Sequence, residues 1–145
     1  MVLQVMKRST SEPCRISSTK FIAQEQWFVA GDIYGWVHVY RYTTKDHVLE
    51  FEAHQHCGEA EKDKVVFAVH PTSPYMLTSC LGDNLIKLWD WSKEWECTRK
   101  FDNNSRVTFH VTWNPMDIDT FITTDGNLMV CVLPLPILYI CEVFC

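Results

Sequence analysis

A histidine, two hydroxyls and an aspartate fall in the middle of this 145-residue chain: His54, Thr78, Ser79 and Asp83, with Trp89 just beyond. Serine, histidine and aspartate are the parts of a hydrolytic triad, in which the imidazole takes the hydroxyl proton and the carboxylate orients the imidazole. That chemistry also needs a nucleophile on a strained turn and donors for the oxyanion, and no such elbow accompanies Ser79. No catalytic residue is assigned. The same groups have a structural use, because a buried carboxylate needs donors, and a histidine ring and an indole can each supply or relay one. A second constellation, His54-Gln55-His56-Cys57, places nitrogen and sulfur donors together. Zinc sites bring a second ligand pair at a defined spacing. None follows here, so neither a metal nor a cofactor is expected. His70, before Pro71, and His110 read as core or edge histidines.

What positions these residues is an internal repeat. The stretch from Phe28-Val29-Ala30-Gly31 to Tyr40-Arg41-Tyr42 aligns without a gap on Leu77-Thr78-Ser79-Cys80 to Trp89-Asp90-Trp91, 49 positions on. Phe67-Ala68-Val69-His70-Pro71 aligns with Val111-Thr112-Trp113-Asn114-Pro115 at an offset of 44. Propeller blades recur every 40–45 residues or so. A polar insertion at 55–64 accounts for the longer period. Within a unit, residues 65–69 form an apolar run ended by His-Pro, and proline sits at strand ends. Residues 75–79 make a second strand, and Leu81-Gly82-Asp83-Asn84 a tight turn. Residues 85–91 alternate, with Ile86 and Leu88 on one face and Lys87 and Trp89 on the other. Residues 95–101 complete four antiparallel strands, which is one blade. No segment holds a 3.6-residue period, so no substantial helix is expected.

The reading is therefore all-β: an incomplete β-propeller of about two and a half four-stranded antiparallel blades. Residues 1–18 supply an outer strand (2–6) and link from a preceding blade. Residues 19–53 are a degenerate first blade, 54–104 the second, 105–132 a partial third, and 133–145 an apolar tail. Six Trp, five Tyr and eight Phe suit strands. A net charge of −5 without a basic block argues against nucleic acid or anionic lipid as a partner. Seven cysteines in no framework-like spacing, and no signal-peptide core at the N-terminus, read as reduced thiols in the cytosol.

The second unit carries a WD-repeat signature: Glu52-Ala53-His54, then Thr78-Ser79, then Asp83-Asn84-Leu85-Ile86-Lys87-Leu88-Trp89-Asp90. With Gln26-Trp27-Phe28-Val29-Ala30-Gly31, Ala68-Val69-His70-Pro71-Thr72, Trp95 and Cys97, the pattern over about residues 2–130 resembles the N-terminal WD-repeat propeller of the coatomer (COPI) β′ subunits. That resemblance implies a structural network of His54, Asp83, Trp89 and either Ser79 or Thr78. It implies a coat subunit rather than an enzyme, working in Golgi-to-ER and intra-Golgi vesicle transport. The implied partners are the other coatomer subunits, with membranes met only peripherally through the coat. The family propeller reads C-terminal dilysine signals on cargo, and three positions correspond here: Arg15 as the basic contact to the peptide carboxylate, and His56 and Gly82 where the family has acids. Without those carboxylates, cargo reading is expected to be impaired.

Departures from the pattern are part of the reading. The first blade has Tyr40-Arg41 where the repeat has Trp-Asp, and the third opens with Asp102-Asn103-Asn104-Ser105 and turns at Asp125-Gly126-Asn127 with no Trp after it. Both are expected to lack most of the polar network. The tail, 128–145, is nearly all apolar, but Pro134 and Pro136 oppose a membrane helix. It reads as sequence unrelated to the family, as in a truncated or mis-spliced product. The alternatives are a WD-repeat scaffold in another complex, and a product without independent function.

Overall fold

A computed structural model describes residues 15–55, 57, 64–102, 108–117, 119–125, 130–134 and 142–144. The chain forms three four-stranded antiparallel sheets, each taking its strands in sequence order. The first contains β1 (Ile16–Ile22), β2 (Trp27–Asp32), β3 (Trp36–Arg41) and β4 (His47–Glu52). The second contains β5 (Val66–Val69), β6 (Tyr75–Ser79), β7 (Leu85–Asp90) and β8 (Glu96–Asp102). The third contains β9 (Thr108–Trp113), β10 (Thr120–Asp125), β11 (Val130–Pro134) and β12 (Glu142–Phe144). The helices among the described residues are two 3-10 turns, Ala23–Glu25 and Trp91–Lys93. None is long and apolar enough to cross a membrane.

The third sheet runs one strand beyond the expected boundary at 132. Glu142–Phe144 returns to pair with β11 through Cys131↔Val143. A segment read from its composition as an unattached tail thus supplies backbone partners to an edge. The expected strand at 2–6 lies outside the described residues.

Period-two alternation in the second sheet explains the stacking. Phe67, Met76 and Trp89 turn to one face and pack with Val29, Val37, Val39, Trp91 and Trp95 against the first sheet. Ala68, Leu77, Ile86 and Leu88 turn to the other and pack with Val111, Trp113 and Phe121 of the third. Every second side chain of a strand points to the same face, so a strand with two apolar faces needs a sheet on each side. The inner strands β1, β5 and β9 lie side by side. Ser18 hydrogen-bonds the Val65 carbonyl near the start of β1 and β5, and Gln24 bonds that of Pro71 beyond their ends. The two strands therefore run the same way. Gly31 permits the close approach: a Cβ there would come within 2.8 Å of the Phe67 ring and 2.9 Å of Val65. The Trp113 indole N–H donates to the Ala68 carbonyl at 3.0 Å and ties the third sheet to the second.

One expectation is corrected. Against the expectation of reduced thiols, Cys57 and Cys80 are joined in a disulfide, with Cα atoms 6.6 Å apart. Cys57 thus lies against Cys80, just past the end of β6, a proximity that a sequence separation of 23 residues does not announce.

Candidate functional site

The polar chain of the second sheet begins in the β6–β7 turn. Asp83 accepts the Leu85 N–H at 3.1 Å, which closes the turn. Its carboxylate lies 2.8 Å from His54 Nδ1. The far side of that ring, Nε2, is 2.8 Å from Thr78 Oγ1. Thr78 Oγ1 also accepts the Trp89 indole N–H at 2.8 Å. The ends of the chain fix its sense, since an indole only donates and a carboxylate only accepts. Burial lowers the His54 pKa by more than its hydrogen bond to Asp83 raises it, so the ring is neutral at pH 7. A neutral ring donates through Nδ1 to Asp83 and accepts the Thr78 O–H at Nε2, and every polar hydrogen in the series is used. Burial pushes the Asp83 carboxyl up, but the His54 hydrogen bond and charge, the Leu85 N–H and Lys87 outweigh it, leaving the pKa below the ordinary value.

The structure brings together His54, Thr78, Asp83 and Trp89 and leaves Ser79 out. Ser79 is buried, and its hydroxyl makes no hydrogen bond. Adjacent strand residues point to opposite faces, so only one of Thr78 and Ser79 can reach the ring. The path from Asp83 to Trp89 runs through His54 and Thr78. The loop bearing His54 is held from the first sheet: the Gly35 carbonyl accepts from Ala53 N–H at 2.9 Å and His54 N–H at 3.0 Å. Gly35 has φ +89°, and a Cβ there would sit 2.1 Å from the His54 carbonyl oxygen. Lys87 adds a salt bridge to Asp83 at 3.7 Å and a hydrogen bond to the Ala53 carbonyl.

The first sheet, read from sequence as lacking most of this network, has one of its own. Asp32, fully buried at the end of β2, accepts the N–H groups of Tyr34 at 2.8 Å and Trp36 at 2.9 Å. His38 lies between two carboxylates, with Nε2 3.3 Å from Asp32 Oδ2 and Nδ1 3.2 Å from Glu50 Oε2. The physical reason is register: His38 and Glu50 are cross-strand partners in the β3–β4 ladder. The sequence signal was a histidine between Val37 and Val39, whose side chains fill the core on the opposite face.

Two of the three positions matched to cargo reading fall within the described residues. Arg15 is exposed just before β1, and its carbonyl accepts the Ile33 N–H at 3.1 Å. Gly82 sits in the β6–β7 turn, its N–H directed at Cys80 Sγ at 3.5 Å. Because β1 and β5 run the same way, both lie at the end of the stack where His54 meets Asp83. His56 lies outside the described residues. His70 is buried, with Nδ1 accepting the N–H groups of Thr72 and Ser73, and it shapes the β5–β6 turn. His110 is exposed on β9.

No family model matches the chain. Over 33 residues the chain is 48% identical to coatomer subunit beta'-2 of Arabidopsis thaliana and to coatomer subunit beta'-1 of Oryza sativa subsp. japonica. Each match covers 23% of this chain and 4% of the relative's length. In three dimensions the chain is similar to the β-propeller domain of Cps50 (Swd1) from Myceliophteria thermophila, with a TM-score of 0.77 over 98% of this chain and 41% of that one, at 11% identity. At that identity the likeness fixes the fold. The chain is built as part of a β-propeller.

Proposed function

We propose that this chain is a non-catalytic WD-repeat interaction module of the coatomer β′ type, acting as a protein scaffold in a cytoplasmic vesicle coat. The observation that carries this reading is how the Ser-His-Asp set is used. His54 has both nitrogens committed, one to Asp83 and one to Thr78. Ser79 stands apart with its hydroxyl buried. A triad needs the imidazole to face an accessible hydroxyl, and here it faces a threonine already bonded to an indole. The network holds a blade, and holding blades is what a scaffold requires of it. The 33-residue likeness to coatomer β′ subunits supplies the finer assignment.

Within that reading the dilysine site is weakened. Two lysine ammonium groups need carboxylates to bind, and His56 and Gly82 stand at the two positions where the family has acids. The test has two arms. In the first, tagged chain is mixed with coatomer depleted of its β′ subunit and recovered by affinity. Co-recovery with the complex is expected, and its absence would favour a WD-repeat scaffold of another assembly. In the second, a peptide ending in Lys-Lys-x-x is titrated by calorimetry. Binding at least about tenfold weaker than to a coatomer β′ propeller is expected, since one lost charged hydrogen bond is worth about 1.5–3 kcal/mol. Equal affinity would show that the cargo site lies on other residues.

A further inference from the structure

The network of the first sheet ends in a cluster whose donors converge on one point. One ligand atom from each of His38, His47 and Glu50 lies within 4.8 Å of the other two. We propose that these three residues bind a divalent cation of the borderline class, Zn²⁺ above all, on the β3–β4 hairpin. In a tetrahedral site with Zn–N and Zn–O bonds of about 2.0–2.2 Å, neighbouring donors are about 3.3–3.6 Å apart. His38 Nδ1 and Glu50 Oε2 already stand at 3.2 Å. His47 Nε2 is 3.9 Å from the same oxygen, and its side chain is 45% exposed, so the ring can turn inward to close the remaining distance.

The buried ligand is held the way metal ligands are held. His38 is 1% exposed, and its second nitrogen faces Asp32. Asp32 is itself fixed by the Tyr34 and Trp36 N–H groups. A carboxylate behind a metal-binding histidine sets its tautomer and raises its basicity. On the exposed side, the His47 ring packs against Tyr40 at 5.0 Å between centroids. Two imidazoles and one carboxylate are a nitrogen-rich set that suits zinc, whereas calcium and magnesium take oxygen. Three protein ligands leave a fourth position for water. The rival cluster of the sequence, His54-Gln55-His56-Cys57, is spent elsewhere: His54 on Asp83 and Thr78, Cys57 on Cys80.

The test is a zinc titration of the full 145-residue chain against a chromophoric chelator, with Co²⁺ as a spectroscopic stand-in. One equivalent per chain is expected. His47→Ala and Glu50→Gln should each weaken binding by about a hundredfold or more, beyond the 10–100-fold typical of losing an outer-shell partner. His110→Ala removes an exposed histidine from a different sheet and should change nothing. On the unmodified chain, Co²⁺ should give visible ligand-field bands without a thiolate charge-transfer band, a readout that does not depend on any variant folding. The absence of saturable uptake, unchanged affinity in both ligand variants, or a thiolate band would each overturn the site.

Discussion

The first and second sheets share strand order and a gap-free alignment of residues 28–42 on 77–91, yet they anchor their turns with different parts. Each uses a buried or nearly buried aspartate to accept N–H groups of its second turn: Asp32 in one, Asp83 in the other. Each backs that aspartate with a histidine. In the second sheet the histidine comes from the loop between sheets, and the chain runs inward to Thr78 and Trp89. In the first it comes from β3, and the chain runs outward to Glu50 on the edge strand. The difference teaches that the repeat conserves a physical task rather than a string. The task is to pair the turn's N–H groups with a carboxylate and to pair that carboxylate with an imidazole. Where Tyr40-Arg41 replaces Trp-Asp, the task is done by other residues.

The largest expected effect tests whether the two networks are equivalent. Asp83→Ala strands the Leu85 N–H and the His54 Nδ1–H, and leaves Lys87 without its carboxylate. Asp32→Ala strands the Tyr34 and Trp36 N–H groups beside His38. Leaving a buried donor unpaired costs about 1–3 kcal/mol, so each substitution should lower unfolding free energy by about 3 kcal/mol in urea melts. A neutral Asp32→Ala would break the equivalence and leave the second sheet's network as the one of the two that matters to stability.

A smaller effect separates two adjacent hydroxyls. Thr78→Val keeps shape and volume but removes both the acceptor of the Trp89 N–H and the donor to His54, and should cost about 1–3 kcal/mol. Ser79→Ala removes a buried hydroxyl that makes no hydrogen bond. It should fall within about 0.5 kcal/mol of neutral, or stabilise slightly. Reversal of that order would mean that the histidine meets the other face of β6.

This pair marks where sequence stops informing structure. The turn aspartate, the strand hydroxyl and the Trp of the second sheet are legible because they lie on one repeat at fixed offsets. Thr78 and Ser79 are not separable in that way, because shifting a strand's register by one residue exchanges its faces and leaves the string unchanged. The pairing of His38 with Glu50 depends on the β3–β4 ladder, which shifts register between Val39 and Tyr40, so no fixed sequence spacing announces it. Cys57 and Cys80 stand 23 positions apart, a spacing that matches no repeat offset and gives no sign of their pairing. β12 pairs through its backbone, which leaves little trace in side-chain pattern.

The smallest effect is the response to acid, and its sign follows from burial. The His54 pKa is lowered from the ordinary 6.5 in the folded chain, with burial the leading cause. Stability rises with pH wherever the unfolded state binds more protons. Just below 6.5 the unfolded ring takes a proton that the folded ring refuses. Its contribution is therefore whole above 6.5 and is lost as the pH falls toward the folded value. Asp83 acts in the same direction lower down. Its folded pKa lies below 3.8, so its contribution is whole above 3.8 and is lost on further acidification. The melting temperature should fall in two stages as the pH is lowered, the first beginning near 6.5. His54→Gln cannot titrate but can still donate to Asp83 and accept from Thr78. It should flatten the first stage and keep the second, at some cost in stability at neutral pH. An unchanged first stage in that variant would assign the acid response to a group other than His54.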